Sequence, residues 1–137
     1  MYLLDTNILS ELRRPRPHGA VVAWLESTPD SDLHVSAVTL GGLQAGIELT
    51  REQDAATARE IEQWADLVAA TYNVLPMDAE TFREWARLMH RRSDTLYENA
   101  MIAATARRHG LTVVTRNVGD FALFGVALLN PFEAKPG

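Results

Sequence analysis

"NAMIAATARRHGLTVVTRNVGDF", residues 99 to 121, reads as a helix, a stop and a strand in direct succession. Small and apolar residues fill the helix, and Gly110 stands where a C′ glycine ends one. "LTVVT", residues 111 to 115, is the clearest strand in the chain. Polar residues follow at once: Arg116, Asn117 and Asp120. Upstream, Thr95 and Glu98 have the spacing of a capping box that would open the helix. Asn99 is the odd member. A first-turn position favours a carboxylate against the helix dipole, and a neutral amide stands there.

The rest of the chain repeats this alternation. "MYLLD" is a short apolar strand ending in an acid. "TNILSELRR" has helical period and is stopped by "PRP". "AVVAWLEST" gives a second helix and "DLHVS" a brief strand, with Ser36 where an N-cap belongs. A helix runs from Ala37 to about Arg51 with Val38, Leu40, Leu43 and Ile47 apolar. Another spans "DAATAREIEQWADLVAATY", with Ile61, Trp64, Leu67 and Val68 on one stripe. "NVLP" is a strand. "DAETFREWARLMHRRS" is a helix expected to face Phe82, Trp85, Leu88 and Met89 inward. "VALLN" is the last strand, and "EAKPG" reads as a frayed tail. The pattern predicts an α/β fold of three layers. A central parallel sheet of four or five short strands is flanked by helices, in one domain over 1–132 with a flexible tail at 133–137.

Composition narrows the function classes. The 137 residues carry a net charge of −5, 47% hydrophobic and 23% charged residues, and no cysteine. Disulfides and thiolate metal sites are therefore excluded, and the net charge argues against a general nucleic-acid coat. The apolar runs fall short of a membrane span, and the N-terminus lacks the layout of a signal peptide, so a cytoplasmic protein is expected. Lys135 is the only lysine, against twelve arginines. A P-loop, a Schiff base or a phospho-receiver site each needs a placed lysine, and the expected core has none.

In parallel sheets ligands sit beyond the carboxyl ends of the strands. Asp5, Thr6 and Asn7 follow the first strand, Ser36 and Thr39 the second, and Arg116, Asn117 and Asp120 the strand at 111–115. Converging carboxylates with hydroxyl and amide neighbours suit a hard cation such as Mg²⁺ or Mn²⁺. Plainer roles compete. Asp5 suits a helix cap, Asp120 a turn, Thr39 a local backbone bond and Arg116 a solvated charge. His34 and His109 have no zinc-like spacing.

"MYLLDTNILSEL", "VSAVTLGGLQAGIE" at 35–48 and "NAMIAATARRHGLTVVTRNVGDF" at 99–121 together resemble the three blocks of a PIN domain. The likeness is to the VapC-type toxins of bacterial toxin–antitoxin pairs, including FitB-like members, and it covers nearly the whole chain. It implies an endoribonuclease in which three or four acids hold Mg²⁺ or Mn²⁺. The first matching acid is Asp5. The second block carries Gly42 where Glu is expected, and the third Asn99 where Asp is expected. Asn117 takes a position that is acidic in some members, and Asp120 is the acid available in that segment. In the intact site Asp5 and the acid at 99 would hold the cation. The acid at 42 and Asp120 would shape a second metal position or orient the attacking water. Thr6, Thr39 and Thr115 would orient carboxylates. RNA-contact candidates are Arg13, Arg14 and Arg16 in "RRPR", the pair Arg91 and Arg92, and Arg116. The likeness further implies a VapB-type antitoxin, a homodimer and single-stranded or looped RNA.

This chain therefore departs from the pattern at two of four acidic positions. Asn99 keeps the shape of an aspartate without its charge. Gly42 lies inside a helix, where glycine costs about 1 kcal/mol relative to alanine; Thr39, Gly42 and Gly46 share one helix face. Two origins fit the pair: a degenerate homologue, or a toxin with inactivating substitutions, introduced or selected. The intact blocks around both positions favour the second. Glu98, as capping-box partner, is expected about 100° away from Asn99, and Glu48 off the Gly42 face. The chain as written is expected to bind divalent ions weakly and to cleave little. A non-catalytic module that binds antitoxin or RNA is the alternative. Apolar docking faces are expected near Trp24, Leu43 and Trp64.

Overall fold

The computed structural model describes residues 1–133. Of the tail expected at 133–137, residues 134–137 lie outside the described residues, while Glu133 closes a 3-10 turn, Pro131–Glu133. Five strands form one sheet: β1 Tyr2–Leu4, β2 Leu33–Ser36, β3 Asn73–Leu75, β4 Thr112–Val114 and β5 Leu128–Leu129. Their order is β3-β2-β1-β4-β5, and all four pairings are parallel. Seven helices flank the sheet among the described residues. They are α1 Thr6–Leu12, α2 Gly19–Glu26, α3 Ala37–Arg51, α4 Ala55–Thr71, α5 Ala79–Met89, α6 Tyr97–His109 and α7 Val118–Phe121.

Alternation along the strands builds the three layers. Neighbouring residues of a strand point to opposite faces. Leu3 and Val113 thus pack on one side with Ala103 and Ala106 of α6, and with Phe121 and Phe124. Leu4, Val35 and Val114 pack on the other with Ile8 and Leu9 of α1, Val21 of α2 and Val68 of α4. The alanine run of α6 now has a reason: small side chains let the helix lie close against the sheet. Ile47, Ala58 and Ala65 make a smaller cluster that joins α3 to α4.

Caps behave largely as the residue types dictate. Ser36 caps α3 through its hydroxyl, which accepts from the Val38 N–H at 3.1 Å. Asp78 caps α5 and Asp54 caps α4. Gly110 ends α6 at φ +65°, a left-handed conformation that glycine adopts without penalty.

Four expectations are corrected. The capping box does not form. A 3-10 turn, Asp94–Leu96, capped by Ser93, takes up Thr95, so α6 begins after Leu96 with no side-chain cap. Leu67 is exposed because α4 turns Trp64, Ala65 and Val68 to the protein instead. Phe82 is also exposed; only Trp85, Leu88 and Met89 of that set reach the core, and Phe82 meets the Trp85 ring edge-on at 6.1 Å. Trp24 and Trp64 are partly buried against the core rather than forming bare faces, and Arg13 lies over the Trp64 ring. No helix among the described residues is long and apolar enough to cross a membrane.

Candidate functional site

The order of strands reverses at β1: the chain builds outward to β2 and β3, then returns to place β4 on the other side. Parallel sheets bind ligands at such a reversal, beyond the carboxyl ends of the strands. Asp5 leaves β1 at this point. One carboxylate oxygen accepts from the Thr6 N–H at 2.8 Å and so caps α1. The other accepts from Thr115 Oγ1 at 2.8 Å and from Asn7 Nδ2 at 3.2 Å. The Asp5 N–H donates to the Val114 carbonyl at 2.9 Å. Asn7 also accepts from the Arg116 N–H, and Thr115 Oγ1 from the Asn117 N–H. One aspartate therefore ties the end of β1 to the end of β4. Asp5 is only 7% exposed. Burial pushes its carboxyl above the ordinary range, the Thr115 and Thr6 hydrogen bonds oppose that, and the charges of Asp120 and Glu98 add to it.

A cleft of about 710 Å³ opens over this crevice. Asp5, Thr6 and Asn7 come from the β1 end, Thr39 and Gly42 from α3, and Glu98 and Asn99 from α6. Arg116 and Asn117 come from the β4 end. Gly42 and Asn99, where the resemblance implies acids, thus line the same space as Asp5. Gly42 is exposed, and a Cβ added there would meet nothing within 4 Å, so a larger side chain fits without a clash. Thr39 is 2% exposed, and its hydroxyl is the one buried side-chain polar atom without a hydrogen-bond partner among the described residues.

The remaining candidates separate. Thr115 is fully buried beneath the cleft and positions Asp5. Asp120, on α7, is outside the lining, although its charge reaches Asp5. Of the arginines, only Arg14 and Arg116 line the cleft; Arg13 and Arg16 do not. Arg14 pairs with Glu11 at 3.3 Å, and Arg116 lies 4.5 Å over the Phe132 ring. Arg92 is turned to the Phe124 ring.

The capping-box role expected of Glu98 does not exist, and Glu98 lines the cleft together with Asn99. Glu48 pairs with Arg51, off the site, as expected. Glu11 was missed. It lines the cleft, and its carboxylate accepts from the His18 N–H at 3.0 Å. Burial raises the Glu11 carboxyl, but His18 and Arg14 outweigh burial and hold it below the ordinary range. Its position two turns into α1 carries no motif, so only packing reveals it.

Residues 2–124 match the family model described as PIN domain. This chain belongs to the PIN-domain family. Among PIN relatives it is 33% identical to "VapC ribonuclease Y4jK" of Sinorhizobium fredii, over 97% of this chain and 99% of that one. The solved structure of FitAcB from Neisseria gonorrhoeae superposes with a TM-score of 0.85 at 31% identity, covering 98% of this chain and 100% of that one. A toxin–antitoxin complex from Klebsiella pneumoniae gives 0.72 at 26% identity, covering 98% and 100%. The parallel sheet of four or five strands expected from sequence is thus the five-stranded sheet of a PIN fold.

The residues present do not match what a divalent ion needs. Among the described residues no group of three His, Asp or Glu side chains is placed to hold a metal. Of the acids expected at the site, Asp5 is the one that lines the cleft, and Thr6, Asn7 and Thr115 orient it. The unpartnered Thr39 hydroxyl is a neutral group, weak as a ligand for a hard cation compared with a carboxylate.

Proposed function

We propose that this chain is a VapC-type toxin of the PIN family. Its site descends from an endoribonuclease that hydrolyses RNA phosphodiesters with Mg²⁺ or Mn²⁺. Gly42 and Asn99 leave that chemistry weak or absent here. The observation that carries the reading is the placement of Gly42 and Asn99 in one cleft with Asp5, with open space over Gly42. A carboxylate at each position would face Asp5 across that space. Two fewer negative charges leave a divalent cation with little to hold it.

The kinship with a named ribonuclease supports RNA as substrate. The Klebsiella neighbour, a toxin–antitoxin complex, supports a cognate antitoxin as partner, and the VapB type is the one the resemblance implies. A homodimer and a cytoplasmic setting complete the reading by analogy. Among the described residues no three carboxylates are placed to hold one metal ion, which favours a second reading, a non-catalytic module that acts by occupying antitoxin or RNA.

The test is a paired RNA-cleavage assay with Mn²⁺ or Mg²⁺, comparing the chain as written with the Gly42→Glu, Asn99→Asp double variant. Cleavage by the double variant alone supports the disarmed nuclease. Equal cleavage by both overturns the assignment of positions 42 and 99. Cleavage by neither, with tight antitoxin binding, moves the binding module ahead.

A further inference from the structure

Arg116 is exposed just past the end of β4, and three contacts fix it. Its N–H donates to Asn7 Oδ1 at 3.3 Å. Its carbonyl accepts from Asn130 Nδ2 at 3.4 Å. Its guanidinium lies 4.5 Å over the Phe132 ring. Asn130 and Phe132 belong to the turn that follows β5, beyond the span 2–124 that matches the PIN model.

That turn is itself anchored. Pro131 is buried, and Asn130 Oδ1 accepts from the Phe132 N–H at 3.0 Å. One amide side chain thus joins the turn to the end of β4. Phe132 packs against the core cluster that holds Ile8, Leu9 and Val21, and the His18 ring meets it at 5.1 Å with the planes at 58°. Burial alone would accept any apolar side chain at this position. An aromatic ring adds a face whose quadrupole attracts a guanidinium.

The ring also leaves the guanidinium's donors alone. A carboxylate partner would take N–H groups and neutralise the charge, as Glu11 does to Arg14. Among the described residues the Arg116 guanidinium has neither an ion pair nor a hydrogen bond, although it lines the cleft beside Asp5 and Glu98. Its charge and its donors are held in place and left unspent.

We propose that Phe132 and Asn130 are positioning residues for Arg116, holding its guanidinium at the cleft wall without neutralising it. A loose arginine loses rotamer freedom when it meets a ligand; a stacked one has lost it on folding, so contact costs less. The proposal rests on the nuclease reading only for the ligand that Arg116 meets.

Two measurements test it. NMR of the full chain reads the Arg116 δ protons, which lie upfield of their ordinary position when an aromatic face covers them. The upfield shift is expected in the chain as written, absent in Phe132→Leu and kept in Phe132→Tyr. Kinetics use the Gly42→Glu, Asn99→Asp variant on RNA with Mn²⁺. In that background Phe132→Leu should raise KM about threefold with little change in kcat, and Phe132→Tyr should restore it. Once Arg116 is replaced by alanine, Phe132→Leu should raise KM no further. Phe132→Leu also removes packing against the core and lowers the melting temperature, so the loss of its effect in Arg116→Ala, and not stability, separates positioning from packing. An Arg116 signal without the upfield shift overturns the proposal. So does a KM effect that adds to that of Arg116→Ala, or a loss carried by kcat. If the acid-bearing variant cuts no RNA, the nuclease reading fails and the NMR shift alone decides this inference.

Discussion

Placing acids at both positions, by Gly42→Glu and Asn99→Asp, should make the metal-free protein less stable. Two small gains come first. Gly42 sits inside α3 with open space around its Cβ, so a glutamate adds helix propensity of about 0.5 kcal/mol without a clash. Asn99 is the third residue of α6, where an aspartate gains about 0.5 kcal/mol from the helix dipole. Against these stands repulsion. The new charges face Asp5, Glu98 and each other across one cleft. At separations of about 8 Å each pair costs about 0.5 kcal/mol in a water-like medium, and several times more where the walls exclude water. Five such pairs outweigh the gains, for a net loss of about 1–3 kcal/mol. In a chain of this length that lowers the melting temperature by about 4 °C or more. Circular dichroism melts in EDTA at low ionic strength measure it. The loss should shrink in high salt, as screening predicts, and Mn²⁺ should reverse it. A double variant that melts at the same temperature or higher in low-salt EDTA would refute the reasoning.

Asp5→Ala removes the cap of α1 and the link to Thr115, and should destabilise the protein by about 1–2 kcal/mol in a urea titration; no loss would mean that the β1–β4 tie is dispensable. Because burial raises the folded-state pKa of Asp5, the native state binds this proton more tightly than the unfolded chain does. The ionised carboxylate therefore opposes folding above its folded pKa, and that penalty is relieved as pH falls through it toward the ordinary value. In EDTA the parent should accordingly gain stability relative to Asp5→Asn on acidification from neutral pH; a relative loss contradicts the assignment. Gly110→Ala forces a side chain into a left-handed φ of +65° and should cost about 1 kcal/mol, read as a lower melting temperature.

The strands and helices were legible because each pairs a clear period with a stop: "PRP" after α1, Gly110 after α6. The parallel sheet followed from alternation, the strand order β3-β2-β1-β4-β5 did not, and Asp5 could be placed because it ends the first buried strand. The misreadings have local causes. Thr95 and Glu98 match a capping box by spacing, but Ser93 two residues earlier starts a 3-10 turn that uses the same stretch. That displaced Glu98 in the reading from the cleft it lines. Leu67 and Phe82 sit at the edge of an apolar stripe, where one residue is 100° and the choice of face depends on what packs opposite. Glu11 and the unpartnered hydroxyl of Thr39 are properties of packing, and no spacing in the chain announces them. Among the arginines, charge alone could not separate Arg14 and Arg116, which reach the cleft, from Arg13, which covers Trp64.

The central claim is that positions 42 and 99 decide whether this cleft holds a divalent ion. Calorimetric titration of Mn²⁺ into the chain as written and into the Gly42→Glu, Asn99→Asp double variant tests it without any substrate. The account predicts little or no binding heat for the first and a clear binding isotherm, at least about tenfold tighter, for the second. Equal affinity in the two proteins would contradict it.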